Sequence, residues 1–81
     1  MADYATVADI QSMKRTLSAA EQERAASLIP VVCDIIRYEA EKVGKDFDTM
    51  ISESPYLASV AKAVTVDVVM RELNTPGTQL P

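Results

Sequence analysis

Apolar residues recur at helical spacing through the middle of the chain. The recurring positions, at intervals of three or four, are Ala25, Leu28, Ile29, Val32, Cys33, Ile36, Ala40 and Val43. This spacing places them on one face of an α-helix. It predicts one long helix over residues 19–43, ended by Gly44 and with Pro30 inside it. Proline in a helix interior removes a backbone hydrogen bond, so we expect a kink at Pro30 or a division into two helices.

A second helix is predicted over residues 55–73. It starts at the Ser54-Pro55 pair, because proline is favoured at the first helical position, and Asn74, Pro76 and Gly77 mark its end. The stretch 64–69 is rich in β-branched residues and is also compatible with a strand. We favour helix, because both ends carry helix signals and no other segment offers a pairing strand.

Shorter elements complete the predicted fold. Thr6 with Asp9 indicates a short helix over residues 6–13, and Ser18 with Glu21 forms a capping box before the long helix. Residues 45–54 are polar and irregular, with anchors for a short helical turn at Phe47, Met50 and Ile51. The sequence therefore predicts an all-α fold, a small bundle of three to four helices in one domain over residues 1–74, with a flexible tail over residues 75–81.

Both long helices carry a second apolar face. On the first this face comprises Val31, Ile35 and Tyr38. On the second, one face comprises Leu57, Val60, Ala61, Val64 and Val68, and another comprises Val66, Val69, Met70 and Leu73. An 81-residue chain buries little of such surface unless one helix is central to the bundle. We therefore expect Val31, Ile35 and Tyr38, or Val66, Met70 and Leu73, to contact a neighbouring molecule.

The composition offers little for catalysis or metal binding. The chain has one cysteine, Cys33, and no histidine, so an intramolecular disulfide is excluded and zinc lacks its commonest nitrogen ligand. Cys33 lies among apolar residues, where burial makes a thiol inert. The paired acids at Asp46 and Asp48, and at Glu39 and Glu41, are typical of solvated surface. We expect no enzyme activity, no cofactor and no metal.

The charge and hydropathy of the chain restrict the kinds of partner that it is expected to bind. A net charge of −4 disfavours direct nucleic-acid binding, which relies on clustered Lys and Arg. No apolar run is long enough to span a membrane, and no signal peptide is evident. The remaining candidates for contacts between proteins are arginines and amphipathic tyrosines. The predicted oligomer interface comprises Arg15, Arg24, Val31, Ile35, Arg37, Tyr38, Tyr56, Val66, Met70 and Arg71.

The order of these features resembles that of tailed-phage head–tail connector proteins, the head-completion adaptors. The N-terminal matching residues are Ala5-Thr6-Val7-Ala8-Asp9-Ile10, Arg15, Leu17-Ser18, Glu21, Arg24-Ala25, Leu28-Ile29 and Ile35-Ile36-Arg37. The C-terminal ones are Pro55, Lys62, Val64, Val68, Arg71, Leu73-Asn74 and Pro76-Gly77. The resemblance spans residues 5–77.

This resemblance implies a structural protein of the virion. Such adaptors are helical, form homo-oligomeric rings of about a dozen subunits below the portal protein, and contact tail-side connector proteins. DNA passes through their channel without specific binding, and they are made in the bacterial cytoplasm. An alternative from the residues alone is a small helical regulator or protein-binding module in the cytoplasm.

Overall fold

The computed structural model describes residues 3–74, which form four helices and no strand. These are α1 (Val7–Met13), α2 (Ala19–Lys42), α3 (Phe47–Glu53) and α4 (Pro55–Leu73). The predicted all-α class is confirmed, and the stretch 64–69 is helical throughout. Within residues 45–54, a polar segment with anchors for a short helical turn, lies the seven-residue α3, which begins at the N-cap Asp46. The predicted tail, residues 75–81, lies outside the described residues.

Complete capping boxes begin α1 and α2. The hydroxyl of Thr6 accepts from the Asp9 amide at 3.1 Å, and the Asp9 carboxylate accepts from the Thr6 amide at 2.9 Å. Ser18 and Glu21 repeat the arrangement at 3.2 and 2.9 Å. Each box satisfies two amides that a helix start otherwise leaves unpaired.

The capping box of α2 makes stability depend on pH. Hydrogen bonds from Arg15 and from the Ser18 amide lower the pKa of Glu21 from 4.5 to about 2. A depressed pKa in the folded state stabilises the fold above the unfolded pKa, and this stabilisation is lost as pH falls from 4.5 towards about 2. We expect Glu21→Gln to flatten the fall of the thermal midpoint across this pH range, measured by circular dichroism. An equally steep fall in the variant would contradict this assignment.

Gly44 lies just after the end of α2, as the sequence predicts. Gly44 has φ +75°, a left-handed conformation that costs glycine little. Its amide donates to the Glu41 carbonyl at 2.9 Å, and the Lys45 amide donates to the Ala40 carbonyl at 2.9 Å. These bonds satisfy carbonyls that the helix end leaves open.

Pro30 lies inside α2 without interrupting it. The alternative of two separate helices is therefore wrong, whereas the bend expected at Pro30 stays a prediction. Pro30 itself is exposed, while its neighbours Ile29 and Val32 are buried in the core. Burial of apolar residues before and after the proline compensates for the missing backbone hydrogen bond.

The core lies chiefly between α2 and α4, which make the most extensive helix–helix contact. Its fully buried side chains include Ile10 of α1, Cys33 of α2, and Val66 and Val69 of α4. Arg15, just before α2, donates hydrogen bonds to Glu21 near the start of α2 and to Asn74 at the end of α4. The start of α2 therefore lies beside the end of α4.

Candidate interaction surfaces

The second apolar face of α2 is exposed in the protomer. Val31, Ile35 and Tyr38, here called the α2 stripe, have 54%, 54% and 61% of their surface accessible. Tyr38 lies under the ammonium group of Lys42, 5.3 Å from the ring centroid. The opposite face of the helix, with Ala25, Ile29, Val32 and Cys33, is buried, whereas Val43 just beyond its end is 71% exposed. The α2 stripe is therefore apolar surface that the described residues, 3–74, leave exposed.

On α4 the buried and exposed faces differ from the expectation. Val66 and Met70 were predicted at an interface, but they are 0% and 7% exposed and belong to the core, as does Leu73. This part of the interface prediction is wrong. At about 100° per residue both faces of α4 are apolar, so the pattern alone does not tell which one faces the core.

The exposed apolar residues of α4 form the second surface. Tyr56, Val60 and Val64, here called the α4 stripe, follow one another at intervals of four and are 82%, 52% and 42% exposed. Only Tyr56 of these three was predicted at the interface. The periodic spacing of apolar residues places Val60 and Val64 on one of the two apolar faces of this helix, but it does not show which face is exposed.

The arginines predicted at the interface have different environments. Arg15 forms a bidentate pair with Glu21, with distances of 3.1 and 2.9 Å. Arg24 is exposed and makes no hydrogen bond or ion pair with the other residues between 3 and 74. Arg71 is exposed near the end of α4. The hydrogen bond and charge of Lys14 lower the pKa of Asp67, and the charge of Arg71 adds to this effect. Within the protomer Arg15 is thus engaged in a cap, while Arg24 and Arg71 lie on the surface.

Arg37 is part of a cluster inside the protomer. Its side chain is 13% exposed and pairs with Asp48 at 2.9 Å and Asp34 at 3.1 Å. The guanidinium also lies over the ring of Tyr4, 4.7 Å from its centroid. Burial acts to lower the pKa of Arg37, but the hydrogen bond to Asp48 and the neighbouring charges outweigh it, so the pKa is raised. Arg37 joins the N-terminal segment, α2 and α3, a role that the sequence analysis did not identify.

Tyr4 completes this cluster from the N-terminal segment. Its hydroxyl donates to Asp48 at 3.0 Å, and its ring contacts Phe47 edge-on with centroids 5.5 Å apart. Burial and the hydrogen bond to Asp48 raise the pKa of Tyr4 to about 12. The Tyr4 amide donates to the buried sulfur of Cys33 at 3.3 Å. Cys33 thus occupies a packing position, as expected for a thiol among apolar neighbours.

A cleft of about 380 Å³ lies beside the cluster. It is lined by Arg37, Glu41, Gly44, Lys45, Asp46, Phe47 and Asp48. Two basic and three acidic side chains share this lining, so it presents no concentrated charge of either sign.

Within residues 3–74, no group of three or more His, Cys, Asp or Glu side chains is placed to hold a metal ion. In the same part of the chain no helix has the length and hydropathy to cross a membrane.

Comparison with known proteins places the chain among viral proteins. No curated protein and no solved structure matches it. Residues 13–81 match the family described as phage protein Gp19/Gp15/Gp42. The phage origin implied by the resemblance is confirmed, while the head–tail connector assignment stays a prediction. Because the match covers most of the chain, this protein belongs to the phage protein family Gp19/Gp15/Gp42, which indicates a role in phage structure or assembly.

Proposed function

We propose that this chain is a structural head–tail connector, a head-completion adaptor that assembles as a ring below the portal protein and docks the tail. Its place is the head–tail junction of the virion, and it is made in the bacterial cytoplasm. Its partners are other copies of itself, the portal protein and the tail-side connector proteins. It acts by assembly and docking, without a catalysed reaction, a cofactor or a metal.

The observation that carries this proposal is exposed apolar surface on a protomer whose core is already complete. Ile10, Val66 and Val69 are fully buried, yet the α2 and α4 stripes remain accessible. A monomeric soluble protein rarely leaves large apolar side chains clustered on its surface, and such clusters mark contacts with other proteins. Together with membership of a phage family, this favours a subunit of an assembly.

The charge of the chain fits a ring through which DNA passes. The net charge of −4 leaves no excess of basic residues to hold phosphates. A neutral or acidic channel wall lets DNA slide, because it offers few counter-charges that bind the backbone. The proposal therefore includes passage of DNA without specific binding.

Sedimentation of the purified chain, alone and mixed with purified portal rings, tests this function. We expect either a ring of many subunits or co-sedimentation with the portal, the second case applying where assembly needs the portal as a template. A chain that stays monomeric at high concentration and does not bind portal rings would contradict the adaptor role. That outcome would favour the alternative of a small protein-binding module.

A substitution in the α2 stripe is expected to separate assembly from folding. Tyr38→Asp places a carboxylate where the proposal requires apolar contact with a neighbour, and burying it there without a partner is costly. We expect the concentration needed for assembly to rise by at least about tenfold, equivalent to about 1.4 kcal/mol. Helicity measured by circular dichroism stays unchanged, because Tyr38 is exposed in the protomer.

The matched control for this experiment is Tyr38→Phe, which keeps the ring and removes only the hydroxyl. It is expected to assemble as the natural chain does. Loss of helicity in Tyr38→Asp would place Tyr38 in the core, and unchanged assembly would remove the α2 stripe from the interface.

A further inference from the structure

The two apolar stripes belong to different helices of one protomer. Because α2 and α4 bury their other faces against each other, the α2 stripe and the α4 stripe are separate surfaces. A contact between two unlike surfaces of identical subunits is heterologous and repeats from copy to copy. Such a contact produces a ring when the rotation between copies closes, whereas a contact of each surface with itself produces two-fold pairs.

The stripes match each other in length. At a rise of about 1.5 Å per residue, Val31 to Tyr38 covers about 10 Å and Tyr56 to Val64 about 12 Å. Each stripe has three large apolar side chains, with Ile35 in the middle of one and Val60 in the middle of the other. The central residues therefore face each other whether the two helices run parallel or antiparallel across the contact.

The charges in line with the stripes are mostly opposite in sign. Arg24 lies seven residues before Val31 and Lys42 seven after Ile35, so both basic residues continue the line of the α2 stripe. Glu53 directly precedes α4, and Asp67 lies seven residues after Val60 in the line of the α4 stripe, although the basic Arg71 follows on the same line. All these charged side chains are exposed.

Two of these charges already have partners inside the protomer. Lys42 pairs with Glu39 at 3.2 Å, and Asp67 pairs with Lys14 at 2.7 Å. Exposed ion pairs contribute little to stability, so these partners can be exchanged at low cost when another copy approaches. Charges at the rim of an interface chiefly select the partner surface and its orientation.

We propose that the α2 stripe of one copy packs against the α4 stripe of the next copy. This inference rests on the proposed ring and names the two surfaces that build it. The occupant of each stripe is a second copy of this chain. Three partly exposed side chains supply well under the roughly 800 Å² per partner that a standard stable interface buries. A single contact between two copies is therefore weak, and ring closure, in which every copy uses both stripes, stabilises the assembly.

Thiol cross-linking tests this pairing, because it captures weak contacts. The double variant Ile35→Cys/Val60→Cys is treated with a short bismaleimide and compared with each single variant. Unlike stripes in contact give a ladder of covalent oligomers from the double variant and only monomers from either single variant. Cys33 is fully buried and is not expected to react with the bismaleimide, and the natural chain measures any cross-linking through it.

The control variant Glu23→Cys/Val60→Cys carries its α2 thiol on an exposed position away from the α2 stripe. It is expected to stay monomeric, and a ladder from this variant would overturn the pairing as unspecific. Covalent dimers from a single variant would overturn it in favour of contacts between like stripes. A double variant that sediments as a ring yet gives no ladder would overturn the pairing and leave the ring in place. A natural chain that forms no ring with or without the portal would instead contradict the proposed function.

Discussion

Val66→Asp is expected to abolish the fold. Val66 is fully buried in α4, and a carboxylate there lacks both water and a cationic partner. The cost of burying such a group, added to the loss of apolar packing, is expected to exceed about 4 kcal/mol. A helical domain of this size has a stability of about 3–5 kcal/mol, so the variant is expected to be largely unfolded at 25 °C. Circular dichroism and urea unfolding measure this directly.

The matched control for this prediction is Val60→Asp. It introduces the same side chain into the same helix, but at a position that is 52% exposed. We expect the variant to remain folded, with a stability change of less than about 1 kcal/mol from lower helix propensity and lost partial burial. The comparison separates the core face of α4 from its outward face. Equal destabilisation by the two substitutions would contradict the orientation of α4.

Arg37→Ala is expected to destabilise the protomer by about 2–3 kcal/mol, because it removes charged hydrogen bonds from a largely buried group. The variant leaves Asp48 and the ring of Tyr4 without the guanidinium between them. The N-terminal segment then loses part of its attachment to α2 and α3. Urea unfolding of dilute protein measures the free energy, and hydrogen exchange at the Tyr4 amide reports on the local attachment.

Arg24→Ala is the matched control for Arg37→Ala. Arg24 lies on the same helix, is exposed, and makes no hydrogen bond or ion pair with the other described residues. Its removal is expected to change the free energy of unfolding by no more than about 0.5 kcal/mol. If the two variants lose the same stability, the Arg37 cluster contributes nothing beyond helix propensity.

The two control variants, Val60→Asp and Arg24→Ala, also test the proposed assembly. Val60→Asp and Arg24→Ala leave the protomer folded but alter the α4 stripe and the line of the α2 stripe. The first is therefore expected to weaken a ring strongly, since it places a carboxylate in an apolar contact. The second is expected to weaken a ring only slightly, because a rim charge contributes more to partner selection than to affinity.

The sequence by itself determined where α1, α2 and α4 begin and end. The capping boxes of Thr6 with Asp9 and Ser18 with Glu21 form as predicted, since their partners are three residues apart. The left-handed Gly44 and the first-position Pro55 act through their own backbone geometry. Such signals are local, so they need no knowledge of the rest of the fold. The repeat of apolar residues likewise determined that each long helix has two apolar faces.

Only the tertiary structure decided which face of α4 is buried. Both faces carry valines, so their free energies of burial are similar and the difference arises from the elements that pack on them. In the folded chain α2, α1 and α3 all contact α4, and the buried face is the one containing Val66 and Met70 rather than Val60 and Val64.

Tertiary structure also decided the roles of Arg37 and Pro30. The partners Tyr4 and Asp48 are 44 residues apart in sequence, and no local pattern predicts that Arg37 lies between them. Pro30 remains within one helix because its buried neighbours hold both halves of α2 against the core. Local signals determine the limits of a helix, whereas the free energy of packing depends on residues distant in sequence, and these become neighbours only in the folded chain.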